Sequence, residues 1–148
     1  MRRVYRFGGE WTVDAPRSQV QAVLVDLEHY PEWWPQVVAV ATLGDDDARV
    51  LCRSRLPYTL DLHLHAVRRE PDVLEVSLTG DLEGFVRWDL GESPAGTRLV
   101  LAQEVTVAGM LAALTPVVRP VLEWNHRQMI QGCLAGLRDR LRAAGPPG

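Results

Sequence analysis

The stretch from Pro116 to Arg142 constrains this chain most, because its apolar residues recur at helical spacing over an unusual length. At about 100° per residue, Val118, Leu122, His126, Met129, Ile130, Cys133 and Leu137 gather on one side. Arg127, Gln131, Arg138 and Arg142 fall opposite, which describes an amphipathic helix with one buried stripe. Such a helix spans roughly 40 Å at about 1.5 Å per residue, longer than a common globular helix. Asn125 and His126 sit in or beside the stripe, and Gly132 and Gly136 run along its edge. A long helix closing a chain that otherwise reads as strands predicts a lid laid across a curved sheet.

Ahead of it the periodicity is mostly two. Residues 3–13 put Tyr5, Phe7, Trp11 and Val13 on one face of a strand, with Gly8-Gly9 a candidate bulge. Asp14-Ala-Pro16 starts a helix that runs from Arg17 to Leu27 and buries Val20, Val23, Leu24 and Leu27. Pro31 and Pro35 bracket a short helical turn carrying Trp33 and Trp34, whose indoles point to different faces. Strands follow at 37–43, 48–56, 58–69, 73–79, 82–91 and 97–107, separated by Gly-, Pro- and Asp-rich turns. The three Asp of 45–47 read as a solvated hairpin tip. The order β-α-α-β-β-β-β-β-β-α is α+β: about seven antiparallel strands curved around the C-terminal helix, with two short helices after the first strand. One domain is expected over 1–144, with 145–148 a tail. A gap between bent sheet and helix is a natural place for a ligand.

Composition removes several function classes. A net charge of −3 with no basic block argues against nucleic acid. The chain has no Lys, so Schiff-base and lysine-base mechanisms are excluded. Cys52 and Cys133 form no metal or redox motif and read as buried reduced thiols. There is no apolar stretch of membrane-spanning length and no signal core, so a cytoplasmic protein is expected, monomer or homodimer. Phosphate loops, nucleophile elbows and H-E-x-x-H are absent, and no cofactor is implied.

Two segments carry a family resemblance: Asp26-Leu-Glu-His-Tyr-Pro-Glu-Trp-Trp-Pro35, and Asn125-His-Arg-Gln-Met129 running into Gly136-Leu-Arg-Asp-Arg-Leu141. With the order of elements, they make the chain resemble the START-like helix-grip superfamily (SRPBCC), in its polyketide cyclase/dehydrase and lipid-transport group. The resemblance implies a hydrophobic cavity opening near the helix. That superfamily spans enzymes, lipid carriers and receptors, so fold alone does not name the activity.

The candidate site follows from polar residues interrupting apolar faces. His126 is a candidate acid or base, and Asn125 or Tyr58 a candidate for holding an oxyanion. Gln103 breaks the inward series Leu99, Leu101, Val105, so something must satisfy its amide. Leu60, Leu62, Val86, Trp88, Leu101, Leu122, Met129 and Cys133 are expected to supply apolar wall. Trp34, Tyr58, Gln103, Asn125 and His126 are expected to orient a small hydrophobic ligand of lipid, polyketide or aromatic type. Arg53, Arg55 and Arg87 fall on outward faces, unless a one-residue bulge reverses them. Asp61-x-His63-x-His65 has the spacing of a metal pair, but Leu60, Leu62 and Leu64 take the core face, so no metal site is expected. Three functions stay open: a ligand carrier, a cyclase/dehydratase-type enzyme using His126, and a protein- or quinone-docking module using an exposed indole at 33–34.

Overall fold

The computed structural model describes residues 4–53, 59–107 and 115–144, with side chains left out at 107, 115–119, 121–122, 125 and 144. Seven strands form one sheet in the order β1-β7-β6-β5-β4-β3-β2. They are β1 (Val4–Val13), β2 (Val37–Thr42), β3 (Asp47–Cys52), β4 (Leu60–Arg69), β5 (Val73–Gly80), β6 (Leu82–Ser93) and β7 (Gly96–Val107). Every pairing is antiparallel. Between β1 and β2 lie α1 (Arg17–Val25), a 3₁₀ turn (Leu27–His29) and α2 (Tyr30–Trp33), and α3 (Thr115–Ala144) closes the chain.

Where the residues are described the strand expectations hold to within a few residues, the expected ends at 54–56 and 58 lying outside them, and the alternation explains why. Leu60, Leu62, Leu74, Leu78, Trp88, Leu90, Leu99 and Leu101 are all buried on the concave side. The opposite face carries ion pairs such as Arg6–Glu104, Arg98–Glu10 and Arg87–Asp89. Along α3 the buried stripe is Ile130, Cys133, Leu134, Leu137 and Leu141. Thr97, fully buried, donates its hydroxyl to the Ala15 carbonyl at 2.7 Å, so no polar group there is orphaned.

Three details differ from expectation. β1 is not bulged at Gly8-Gly9, for its pairing with β7 runs unbroken from Val4↔Thr106 to Val13↔Thr97. The glycines serve close approach instead. A Cβ at Gly9 would collide with the Trp11 indole, which lies over it, and one at Gly8 would sit 3.1 Å from the Leu101 carbonyl oxygen. The first helix stops at Val25 rather than Leu27, since Asp26 leaves the helical region at φ −88°, ψ 68°. The Asp26 carboxylate then takes His29 Nδ1 at 2.8 Å across the 3₁₀ turn. Finally, bulges fall elsewhere: between Val37 and Ala39 on β2, and between Ala66 and Arg68 on β4.

The small residues of α3 set how closely it lies on the preceding turn. A Cβ at Gly136 would strike the Trp33 carbonyl oxygen, and one at Gly132 would strike the Gln36 side chain. The helix therefore rests directly on the α2–β2 connection.

Candidate functional site

Side-by-side pairing lays concave-side residues in rows across the sheet. One row is Phe7, Gln103, Val86, Val76 and Ala66, from β1, β7, β6, β5 and β4. Apart from Phe7 and Gln103 its members are small and apolar, so the floor is low beneath the helix. A cavity of about 200 Å³ opens there, roofed by α3 and flanked by α1, the 3₁₀ turn and α2.

Among the described residues the floor and roof of the cavity meet at one polar contact. Phe7 and Gln103 are direct neighbours in the β1–β7 register. The His126 ring lies parallel to Phe7, with centroids 4.1 Å apart and planes at 11°. Its Nε2 stands 3.0 Å from Gln103 Oε1. The amide oxygen only accepts, so Nε2 carries the proton and Nδ1 is left with a lone pair. Burial without a charge partner pulls the His126 pKa down to about 4, so the imidazole is neutral at pH 7. Gln103, the intruder in an apolar strand face, has its partner in the intruder on the helix stripe.

Two other polar groups in the wall, on Trp34 and Tyr30, are tied to protein. Trp34 Nε1–H donates to the Met129 carbonyl at 3.0 Å, fastening α2 to α3. The Tyr30 hydroxyl donates to the Leu24 carbonyl, and burial pushes its pKa upward. Trp33 is buried and packs edge-on against Tyr30 at 4.9 Å. Burial pushes the thiols of Cys52 and Cys133 up to about 12, which keeps both protonated.

The expected wall residues Trp34, Leu60, Leu62, Val86, Trp88, Leu101, Gln103, His126 and Met129 all line this cavity. Cys133 is not among the residues lining it. It is fully buried one turn beyond Met129, in the stripe that α3 packs against the core. Tyr58, Arg55 and the side chains of Leu122 and Asn125 lie outside the described residues. Arg53 is exposed, and Arg87 pairs with Asp89 and Glu75 on the outer face.

The bulge that brings an arginine inward is on β4. It shifts the register so that Arg69 pairs with Leu74, a concave-side residue, while Val67 is left 52% exposed. Arg69 lines the cavity at its β4 end and is held by Asp46 at 2.9 Å. Phe7 and Arg69 are among the wall residues that sequence reasoning did not nominate. Phe7 was within reach of the β1 alternation, whereas Arg69 was hidden by an extra residue with no mark in composition.

The Asp61, His63, His65 string behaves as the core-face leucines require. His63 Nε2 and His65 Nδ1 both engage Asp47 Oδ1, at 2.8 and 3.0 Å, while Asp61 pairs with Arg49. The two imidazoles hold the Asp47 carboxyl below its usual range. Among the described residues no group of three or more such side chains is placed to hold a metal ion. No helix there is long and apolar enough to cross a membrane.

A curved seven-stranded antiparallel sheet gripping a long helix over an apolar cavity defines a START-like helix-grip protein. The chain belongs to the polyketide cyclase / dehydrase and lipid transport family, whose model matches residues 13–133. Among solved structures it is similar to the Zhui aromatase/cyclase from a Streptomyces species, at 20% identity and TM-score 0.80, over 98% of this chain and 100% of that one. A START superfamily protein from Mycobacterium smegmatis matches at 16% identity and TM-score 0.71, over 95% and 98% of the two chains. A conserved protein from Geobacillus kaustophilus matches at 12% identity and TM-score 0.80, over 95% and 97%. At these identities the likeness is one of fold. No curated protein matches the sequence.

Proposed function

We propose that this protein binds a small hydrophobic molecule in the cavity between the sheet and α3. The observation that carries the reading is the cavity itself, about 200 Å³ with a wall that is nearly all apolar. An engineered apolar cavity of about 150 Å³ accepts benzene, so this volume suits a compact ligand of about two rings. The neutral state of His126 fits a polar anchor better than an acid at pH 7. Native mass spectrometry of freshly purified protein, with extraction of whatever co-purifies, tests it. A near-stoichiometric apolar molecule supports the reading. An empty protein with no thermal shift across lipids, polyketides and aromatic acids counts against it.

A second reading, an aldol cyclase or dehydratase of polyketide type, is favoured by the likeness to an aromatase/cyclase and by the inward Arg69. It assigns acid/base work to His126 and the oxyanion to Asn125 or Tyr58. His126→Ala would then abolish turnover while leaving ligand binding largely intact. With a pKa of about 4 the imidazole is a weak base at pH 7. The docking reading loses its main feature, because Trp33 is buried and Trp34 is half-buried in the cavity wall.

A further inference from the structure

The polar groups lining the cavity can be accounted for one by one, and the remainder describes a ligand. The side-chain N–H of Trp34 and the hydroxyl of Tyr30 are used on backbone carbonyls. Arg68 is committed to Glu70 through two bonds of 2.9 Å, Arg69 to Asp46, and Glu75 to Arg87. Cys52 stays a protonated thiol, a weak donor. Trp88, also a lining residue, brings an indole N–H that can only donate, so among the described residues the remaining place that offers both a donor and an acceptor is the Gln103–His126 pair, bonded to each other once. Neither side chain contributes a fully enclosed, unsatisfied atom, so their spare polar atoms are open to space rather than sealed in protein.

That spare capacity has a definite character. The amide nitrogen of Gln103 keeps two N–H donors, and His126 Nδ1 keeps one lone pair. Exchanging the amide's oxygen and nitrogen would leave the amide oxygen and an Nδ1–H instead. Either arrangement offers both donor and acceptor capacity side by side, and neither brings a charge. A hydroxyl both accepts and donates, whereas a carbonyl only accepts. A carboxylate would meet no free counter-charge at the pair, for the lining arginines Arg68 and Arg69 stand on β4, three strands from β7, and are already paired with Glu70 and Asp46.

We infer that the cavity selects a neutral, compact apolar molecule carrying one hydroxyl, phenol- or alcohol-like, which docks on the Gln103–His126 pair. The inference rests on the cavity-binding reading above and adds the polarity of the ligand to it. Phe7 contributes by holding the imidazole plane fixed, so the pair is oriented before the ligand arrives. Gln103 is thereby a specificity-determining residue.

The test measures binding of naphthalene, 2-naphthol and 2-naphthoate to the intact protein at pH 7, in wild type and in Gln103→Leu. We expect wild type to bind naphthol about tenfold more tightly than naphthalene, and naphthoate more weakly than naphthol. In Gln103→Leu the naphthol preference should fall to within about twofold while naphthalene still binds. Equal affinity for naphthol and naphthalene in wild type overturns the inference, as does a preference that survives in Gln103→Leu or a naphthoate that binds best. In those cases cavity binding itself stands. Failure of all three compounds to bind wild type overturns the cavity reading together with the inference. A readout that needs no variant is the Gln103 side-chain NH₂ resonance of the wild-type protein. It should shift with naphthol and stay nearly in place with naphthalene, and the reverse pattern counts against the hydroxyl.

Discussion

His126 Nε2 and Gln103 Oε1, 23 residues apart in the chain, meet at 3.0 Å across the gap between helix and sheet. The contact ties the roof of the cavity to its floor, and burial keeps the imidazole neutral. A neutral ring in the folded state has a direct thermodynamic consequence.

With the folded pKa of His126 near 4 and the unfolded value near 6.5, the unfolded chain takes up the proton first as pH falls. Stability contributed by this residue is complete above about pH 6.5 and is lost progressively down to about pH 4. Urea unfolding at pH 7 and 4.5 should show His126→Gln losing about 2 kcal/mol less than wild type over that interval. Equal losses would mean the imidazole is not desolvated.

Gly136 and Gly132 face different obstacles, and alanine should separate them. At Gly136 a methyl group meets the Trp33 carbonyl, which is backbone, whereas at Gly132 it meets the flexible end of Gln36. Gly136→Ala should destabilise by about 2 kcal/mol despite the better helix propensity of alanine. Gly132→Ala should lie within about 1 kcal/mol of wild type, since Gln36 can swing aside and propensity favours alanine. Thermal melts of both variants check the contrast, and a similar loss in each would refute it.

Trp34→Phe removes the side-chain hydrogen bond donated to α3 from the residue that caps α2, leaving the Met129 carbonyl without that partner. A loss of about 1 kcal/mol is expected in chemical unfolding, with the cavity wall otherwise kept aromatic. A variant as stable as wild type would show that this bond does not fasten the helices.

Cys52 and Cys133 should be silent toward thiol reagents in the native protein. With both pKa values pushed up to about 12, the thiolate fraction at pH 8 is about a thousandfold below that of a thiol with pKa 9. An aromatic disulfide reagent should titrate neither thiol until urea unfolds the chain, and rapid native reaction at either would contradict the burial.

Much of the fold was legible because its signals are periodic and local. The Leu60/Leu62/Leu64 and Leu99/Leu101 alternations state which face is buried, and the stripe on α3 states what covers it. His126 and Gln103 were legible singly, as polar residues on apolar faces. Their mutual bond was not, for it depends on the β1–β7 register and on where a helix axis crosses the sheet. Arg69 was illegible for another reason. One unpaired residue at Val67 reverses every later side chain on β4, and Ala-Val-Arg-Arg carries no residue type that marks a bulge. Gly8-Gly9 shows the converse, a pair that suggests a bulge yet serves the Trp11 ring.

The contact of Gly136 with the Trp33 carbonyl is also a fulcrum. It lies toward the C-terminal half of α3, while His126 stands ten residues upstream, about 15 Å along the axis at about 1.5 Å per residue. A tilt of about 5° about that point moves His126 by roughly 1.3 Å, enough to change the height of the cavity by most of a bond length, while Leu141, five residues beyond the fulcrum, moves about half as far. The closeness that two glycines permit at one end thus makes the helix a lever over the other, and the size of the chamber a matter of angle.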